Sequence, residues 1–178
     1  EVHVVSIFAT VEEALDWGRW VYDRLPDFRH DPEKFGDQVV VDVDETIIDF
    51  EERYLIPAID ASIDEIAVET GSRGGLCIPA HIDRSANSVS SQLGFLPDAP
   101  FHALEITRRP VPIETKGYTL VSDSDAHFLD DIGRRWFTFP GSIDVDSSQR
   151  VVFDALATAL RDGTTELSID RPRGSTAV

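Results

Sequence analysis

Methionine is absent from these 178 residues, cysteine occurs once, lysine twice, and no apolar run exceeds a few residues. The missing initiator, together with a β-rich opening at Glu1-Val2-His3, leads us to expect further chain upstream. A single cysteine excludes an internal disulfide; Cys77, inside Gly75-Leu76-Cys77-Ile78-Pro79, is expected to be a buried small hydrophobe. Without a run of about 20 apolar residues there is no candidate membrane helix, and the first residues lack a basic-then-apolar export pattern, so a cytoplasmic protein is expected. Cations are scarce as well: 14 Arg and 2 Lys face 33 acidic residues, for a formal net charge of −17. Such a field repels polyanions, which argues against non-specific binding to nucleic acid or an anionic membrane. A phosphate ligand would have to meet metal ions or a local arginine cluster.

What is present is enough apolar content, 42%, for one core, so residues 1–170 are expected to form a single domain, with 171–178 as a disordered tail. The short β-rich run at residues 3–9 is followed by Thr10 and Glu13, the spacing of a capping box. In the helix this opens, Val11, Ala14, Leu15, Gly18, Val21, Tyr22 and Leu25 form a stripe that predicts a core-facing side flanked by Trp17 and Trp20. Val39-Val40-Val41 and Thr46-Ile47-Ile48 flank an Asp-rich turn and suggest a hairpin. Ser62 with Glu65 predicts a second helix, and Leu76–Ala80 a strand running into His81. Further strands are expected at 102–106, 118–121 and 136–139, and an amphipathic helix over 147–161 on Val151, Val152, Ala155, Leu156 and Leu160.

In a fold of alternating strands and helices, ligands gather at the C-terminal ends of strands. Two such ends carry histidine: His81-Ile82-Asp83-Arg84 and Ser122-Asp123-Ser124-Asp125-Ala126-His127. Asp125 and His127, two apart in an extended segment, would project to one side and offer oxygen and nitrogen donors to one cation. The plainer alternative is surface or satisfied core histidines, which is how His30 and His102 are read. Arg84 lies close enough in sequence to His81 to reach a substrate phosphate, a surface salt bridge being the other reading. Arg108-Arg109 and Arg134-Arg135 are read as solvated partners of nearby carboxylates.

Several runs resemble successive motifs of PHP (polymerase and histidinol phosphatase) phosphoesterases: Glu1-Val2-His3-Val4, residues 35–39, Pro79-Ala80-His81-Ile82-Asp83-Arg84, Leu93-Gly94-Phe95, Ala103-Leu104-Glu105-Ile106 and residues 124–133. The resemblance covers about residues 1–140. It implies an α/β fold, a partial distorted (β/α)7 barrel with an inserted β-hairpin, from a hydrolase whose metal-activated hydroxide attacks a phosphomonoester or short phosphodiester. It also implies His3, His81, Asp125 and His127 as metal ligands, with two or three divalent ions (Zn, Mn or Fe) in the complete site. The family's opening H-x-H, its D-H pair and an early glutamate have no counterpart here and would precede Glu1. This chain by itself would then hold fewer ions or none. The implied partners are a small phosphorylated substrate, with nucleotides and short oligonucleotides among the candidates, and a second copy of the chain if a partial barrel leaves a strand edge unpaired.

Two alternatives stay open. Val41-Asp42-Val43-Asp44-Glu45-Thr46 also fits the D-x-D-x-T of haloacid-dehalogenase-type phosphatases, with Asp42 as nucleophile and Thr107, Lys116, Asp123 and Asp125 as further parts; ordinary hairpin-turn chemistry explains the same residues. The other is a non-catalytic PHP-derived interaction module.

Overall fold

The computed structural model describes residues 1–141, 144 and 147–170, so the tail expected at 171–178 lies outside the described residues. Two compact units emerge, one of residues 1–17 and 62 onward, the other of Gly18–Ala61.

In the first unit, β1 (Val4–Ile7) leads into α1 (Val11–Tyr22), which continues into the second unit. The capping box forms as its spacing requires: Thr10 Oγ1 accepts from the Glu13 amide and Glu13 Oε2 accepts from the Thr10 amide, each at 3.2 Å. The stripe expected to face the core does not. Val11 and Leu15 are more than half exposed and no α1 residue is fully buried, because the helix packs through its tryptophan side, with Trp17 against the Phe8 ring at 5.9 Å.

The second unit holds a short helix α2 (Pro32–Phe35) that sequence periodicity misses, and the hairpin of β2 (Val39–Val41) and β3 (Ile47–Phe50), antiparallel with a register shift near Val41. Buried His30 sets Nε2 on the Gly36 carbonyl and stacks on Tyr54, a structural role.

Back in the first unit, α3 (Ile63–Ser72) opens on the Ser62–Glu65 capping box and buries Ile66, Ala67 and Thr70. The apolar β4 (Leu76–Pro79) is buried throughout and pairs antiparallel with β1, Val4 opposite Pro79 and Ile7 opposite Leu76. A four-residue helix α4 (Val89–Gln92), capped by Ser88, follows. Then come β5 (Leu104–Glu105) and β6 (Leu120–Val121), paired in parallel. β4 and β5 are joined through residue 102: the His102 amide donates to the Cys77 carbonyl at 2.9 Å, and the Cys77 amide donates to His102 Nδ1 at 3.0 Å. His102 is thus structural, and burial holds its pKa below the usual histidine value. Cys77 is a buried free thiol whose pKa burial pushes up to about 12.

β7 (Phe137–Thr138) pairs antiparallel with β8 (Glu166–Leu167), and between them runs α5 (Gln149–Asp162), closed by Gly163 in the left-handed conformation. Its buried side is rotated in part from the expected one: Leu160 is buried and Leu156 partly so, as expected, but Val151 is half exposed while Phe153 is buried and Ala157 partly so. The bulk of Phe153 decides the rotation, since it fills the core with Ala9, Leu76, Ile78, Ala103 and Val121. No helix among the described residues is long and apolar enough to cross a membrane.

Where β4 begins, the Gly75 backbone lies so close to Phe8 that an added Cβ would overlap the ring. Gly75→Ala should therefore lower stability by about 1–3 kcal/mol, as overpacking does. Urea denaturation checks this, and an unchanged midpoint would show that Phe8 yields freely.

Candidate metal centre

All four residues proposed from sequence as ligands lie in the first unit, and the backbone is unusual at two of them. His81, just past β4, has φ +31°, and Asp125, past β6, has φ +45°. Non-glycine residues held in the left-handed region are costly and persist where the surroundings over-determine them. The surroundings are visible here. The His81 amide donates to Glu105 Oε2 at 2.9 Å, and the Ile82 amide to the Glu105 carbonyl at 2.9 Å. The Asp125 amide donates to Asp123 Oδ1 at 2.9 Å, while Arg135 braces the same loop with Nε on the Asp123 carbonyl and Nη2 on the Ser124 carbonyl.

His81 meets His3. Nε2 of His81 stands 3.3 Å from Nδ1 of His3, with the rings edge to face, and His3 Nε2 lies 3.0 Å from Glu1 Oε1. Glu1 accepts a hydrogen bond from Nε2–H of His3, and in that neutral tautomer His3 Nδ1 turns its lone pair toward His81. Burial, reinforced by the Arg84 charge, holds the His81 pKa below the ordinary histidine value, so the imidazole is neutral at neutral pH and able to bind a cation.

Asp125 does not join this pair as a free carboxylate. Its Oδ2 is 2.5 Å from Arg84 Nη1, in ionic contact but without the alignment of a hydrogen bond, and is otherwise buried and unpartnered. Nor do Asp125 and His127 share an extended segment, as expected. The backbone turns at Asp125, and His127 is exposed with Nδ1 3.0 Å from the carbonyl of Asp125 itself. Among the described residues no three His, Cys, Asp or Glu side chains converge to hold a metal ion as they stand.

Two residues matter here that were given no role from sequence. Asp83, buried, is spent on structure: it accepts from the Thr107 amide and hydroxyl and from the Arg108 amide at 2.8–3.0 Å. Glu105 is 1% exposed, and its Oε1 has no hydrogen-bond partner. Burial first, then the charges of Asp123 and Asp125, raise its pKa from 4.5 to about 7. In the sequence it stood out as a carboxylate inside the apolar run 103–106, within one of the PHP-like motifs, but nothing there gave it a role.

The donor set can be tested against a divalent ion. Two nitrogens each bound at 2.0–2.1 Å to a tetrahedral cation stand about 3.3–3.4 Å apart, which is the separation of His3 and His81. Buried, unpartnered atoms on His81 (Nδ1), Glu105 (Oε1) and Asp125 (Oδ2), and mutual repulsion among carboxylates, mark a place short of positive charge. Imidazole and carboxylate suit Zn, Mn or Fe. The residues fit part of a metal site, with Arg84 standing where a cation would engage Asp125.

The fold around this site has a known counterpart. It is shared with a lesion-specific endonuclease. That solved structure, PfuEndoQ from Pyrococcus furiosus, superimposes with a TM-score of 0.58 at 20% identity, over 93% of this chain and 37% of the endonuclease. The chain thus spans little more than a third of that protein's length. No protein-family profile matches the chain, and no curated protein matches its sequence. As for the Asp42 alternative, that residue sits in the turn of the β2–β3 hairpin with Oδ1 accepting from the Asp44 and Thr46 amides at 2.9 and 3.0 Å, the geometry of a turn residue. It belongs to the Gly18–Ala61 unit, whereas Thr107, Lys116 and Asp123 belong to the other.

The Glu105 shift sets a pH dependence with a definite sign. A carboxyl whose folded pKa is raised contributes stability that is full below pH 4.5 and lost as pH rises toward 7. In chelator-treated protein this group should cost about 3 kcal/mol across that window. Glu105→Gln cannot ionise, so urea denaturation from pH 4.5 to 8 should show the variant gaining on the parent by that order; parallel curves would mean that Glu105 titrates normally.

Proposed function

We propose that this chain is part of a metal-dependent phosphoesterase of the PHP type, with the partial (β/α)7 architecture that the motif resemblance implies, acting on phosphate esters. The observation that carries the reading is the His3–His81 pair: two imidazole nitrogens 3.3 Å apart, one ring kept neutral by burial, at the end of a buried strand. The fold shared with a lesion-specific endonuclease supports the same class and makes phosphodiesters of nucleotides or nucleic acids the first substrates to test.

In this reading His3, His81, Asp125 and His127 hold the ions, of which Zn, Mn and Fe are the candidates. Bound divalent ions supply the charge that activates water near neutral pH and neutralises the ester oxygens. The chain's own residues do the rest. Glu1 fixes the His3 tautomer, Glu105 and Asp123 hold the two left-handed backbones that aim His81 and Asp125, and Arg84 offers a guanidinium to a phosphate oxygen. The net charge of −17 makes recognition depend on this local site rather than on attraction to a polyanion.

Loss of a supporting residue around a metal commonly costs roughly 10–100-fold in affinity, so loss of a ligand should cost more. His81→Ala and Asp125→Ala should each lose bound metal, by elemental analysis of protein purified with its native flanking sequence, and should lose hydrolysis of bis(p-nitrophenyl) phosphate. Full metal content in both variants would sink the assignment. Asp42→Asn should leave hydrolysis unchanged; its inactivation, with the histidine variant still active, would instead indicate an aspartyl-phosphate route.

A further inference from the structure

Arg84 makes a contact that a purely structural arginine would not need. Its backbone is pinned: the amide donates to the His81 carbonyl at 3.0 Å, and the carbonyl accepts from Ser88 Oγ at 2.6 Å. Its side chain is not. The side chain is 41% exposed, and among the described residues its one ion-pair partner is Asp125. It reaches Oδ2 at 2.5 Å without a directed hydrogen bond, and that oxygen has no other partner. The paired charges therefore touch without the fork-to-carboxylate alignment that makes arginine pairs strong. Compare Arg109, which meets Asp170 through Nε at 2.6 Å and Nη2 at 3.0 Å, a two-point pair.

Asp125 is the opposite case, fixed rather than free. Its backbone is left-handed, its amide is tied to Asp123, and the loop is braced by Arg135, so the carboxylate stays where it is while its counter-ion can be exchanged. The Arg84 charge also bears on the His81 ring, so one partly exposed cation acts on both a nitrogen and an oxygen donor of the site.

From this geometry we infer that Arg84 is an exchangeable internal counter-ion: it occupies Asp125 in the metal-free site, yields it to a divalent cation, and on release turns its guanidinium to the phosphate of the substrate. The inference rests on the phosphoesterase reading above and adds a linkage to it. Metal must displace Arg84, so Arg84 opposes metal binding in the free protein. A phosphate oxyanion that takes up the guanidinium removes the opposition, so phosphate tightens metal binding and, by reciprocity, metal tightens phosphate binding. A structural salt bridge predicts the reverse sign, because removing the arginine would then loosen the 122–127 loop and weaken metal.

The test is equilibrium binding of Mn²⁺, followed by the loss of the free-ion electron paramagnetic resonance signal, on chelator-stripped protein carrying its native flanking sequence. The parent, Arg84→Gln and Arg84→Lys are compared with and without inorganic phosphate. Arg84→Gln should bind Mn²⁺ about tenfold more tightly than the parent when phosphate is absent, a coupling of ordinary allosteric size. Phosphate should tighten Mn²⁺ binding to the parent and leave Arg84→Gln unmoved, while Arg84→Lys, which keeps the charge, should stay close to the parent without phosphate. Equal or weaker Mn²⁺ binding by Arg84→Gln, in protein whose thermal midpoint matches the parent, overturns the counter-ion role and leaves the metal site standing. Absence of Mn²⁺ binding from all three proteins overturns both this inference and the phosphoesterase reading.

Discussion

Glu105 reaches from the end of β5 to the second amide beyond β4, and the geometry of the candidate site follows from that reach. A carboxylate that is 1% exposed accepts from a backbone amide, and the amide belongs to a residue in the left-handed region. Neither condition is comfortable alone: the buried acid needs a donor, and the strained amide needs an acceptor. Together they lock two strand ends in register, with the Ile82 amide on the Glu105 carbonyl as the second tie. His81 is therefore aimed by backbone rather than by a loose side-chain torsion. This is the precision a metal ligand requires.

The electrostatics around this lock are unbalanced in one direction. Glu105, Asp123 and Asp125 act on one another, while the nearby cations are Arg84, in a contact without hydrogen-bond alignment, and Arg135, whose guanidinium is occupied with backbone carbonyls. A site that gathers carboxylates and neutral imidazoles but commits its arginines to bracing has placed its charge deficit where divalent ions would relieve it.

Much of the local structure was legible in the sequence, for a physical reason. Both long-helix capping boxes, Thr10 with Glu13 and Ser62 with Glu65, depend on residues three apart, and both formed. The buried strand β4 was legible because nothing polar interrupts it. Faces were harder. In α5 Leu156 and Leu160 face the core as expected, but Val151 with Val152 and Phe153 with Ala157 are both compatible with that stripe, and only the bulk of Phe153 in the assembled core chooses between them. In α1 the aliphatic stripe found no partner and the tryptophan side packed instead. At the site, His3, His81 and Asp125 were suggested by motif. The role of Glu105 and the pairing of Arg84 with Asp125 needed burial and contacts between distant residues, and the turn at Asp125 broke the alternation on which the Asp125–His127 pairing relied.

The pairing of β1 with β4 has a further consequence for how the chain assembles. Ile7 bonds opposite Leu76, and the whole Gly18–Ala61 unit lies between them in sequence. The two histidines meet only after that long loop has closed, and closure costs entropy that grows with the freely moving length. A unit that compacts by itself removes its own residues from that count. The hairpin unit can thus influence the His3–His81 pair by shortening the search that brings their strands together.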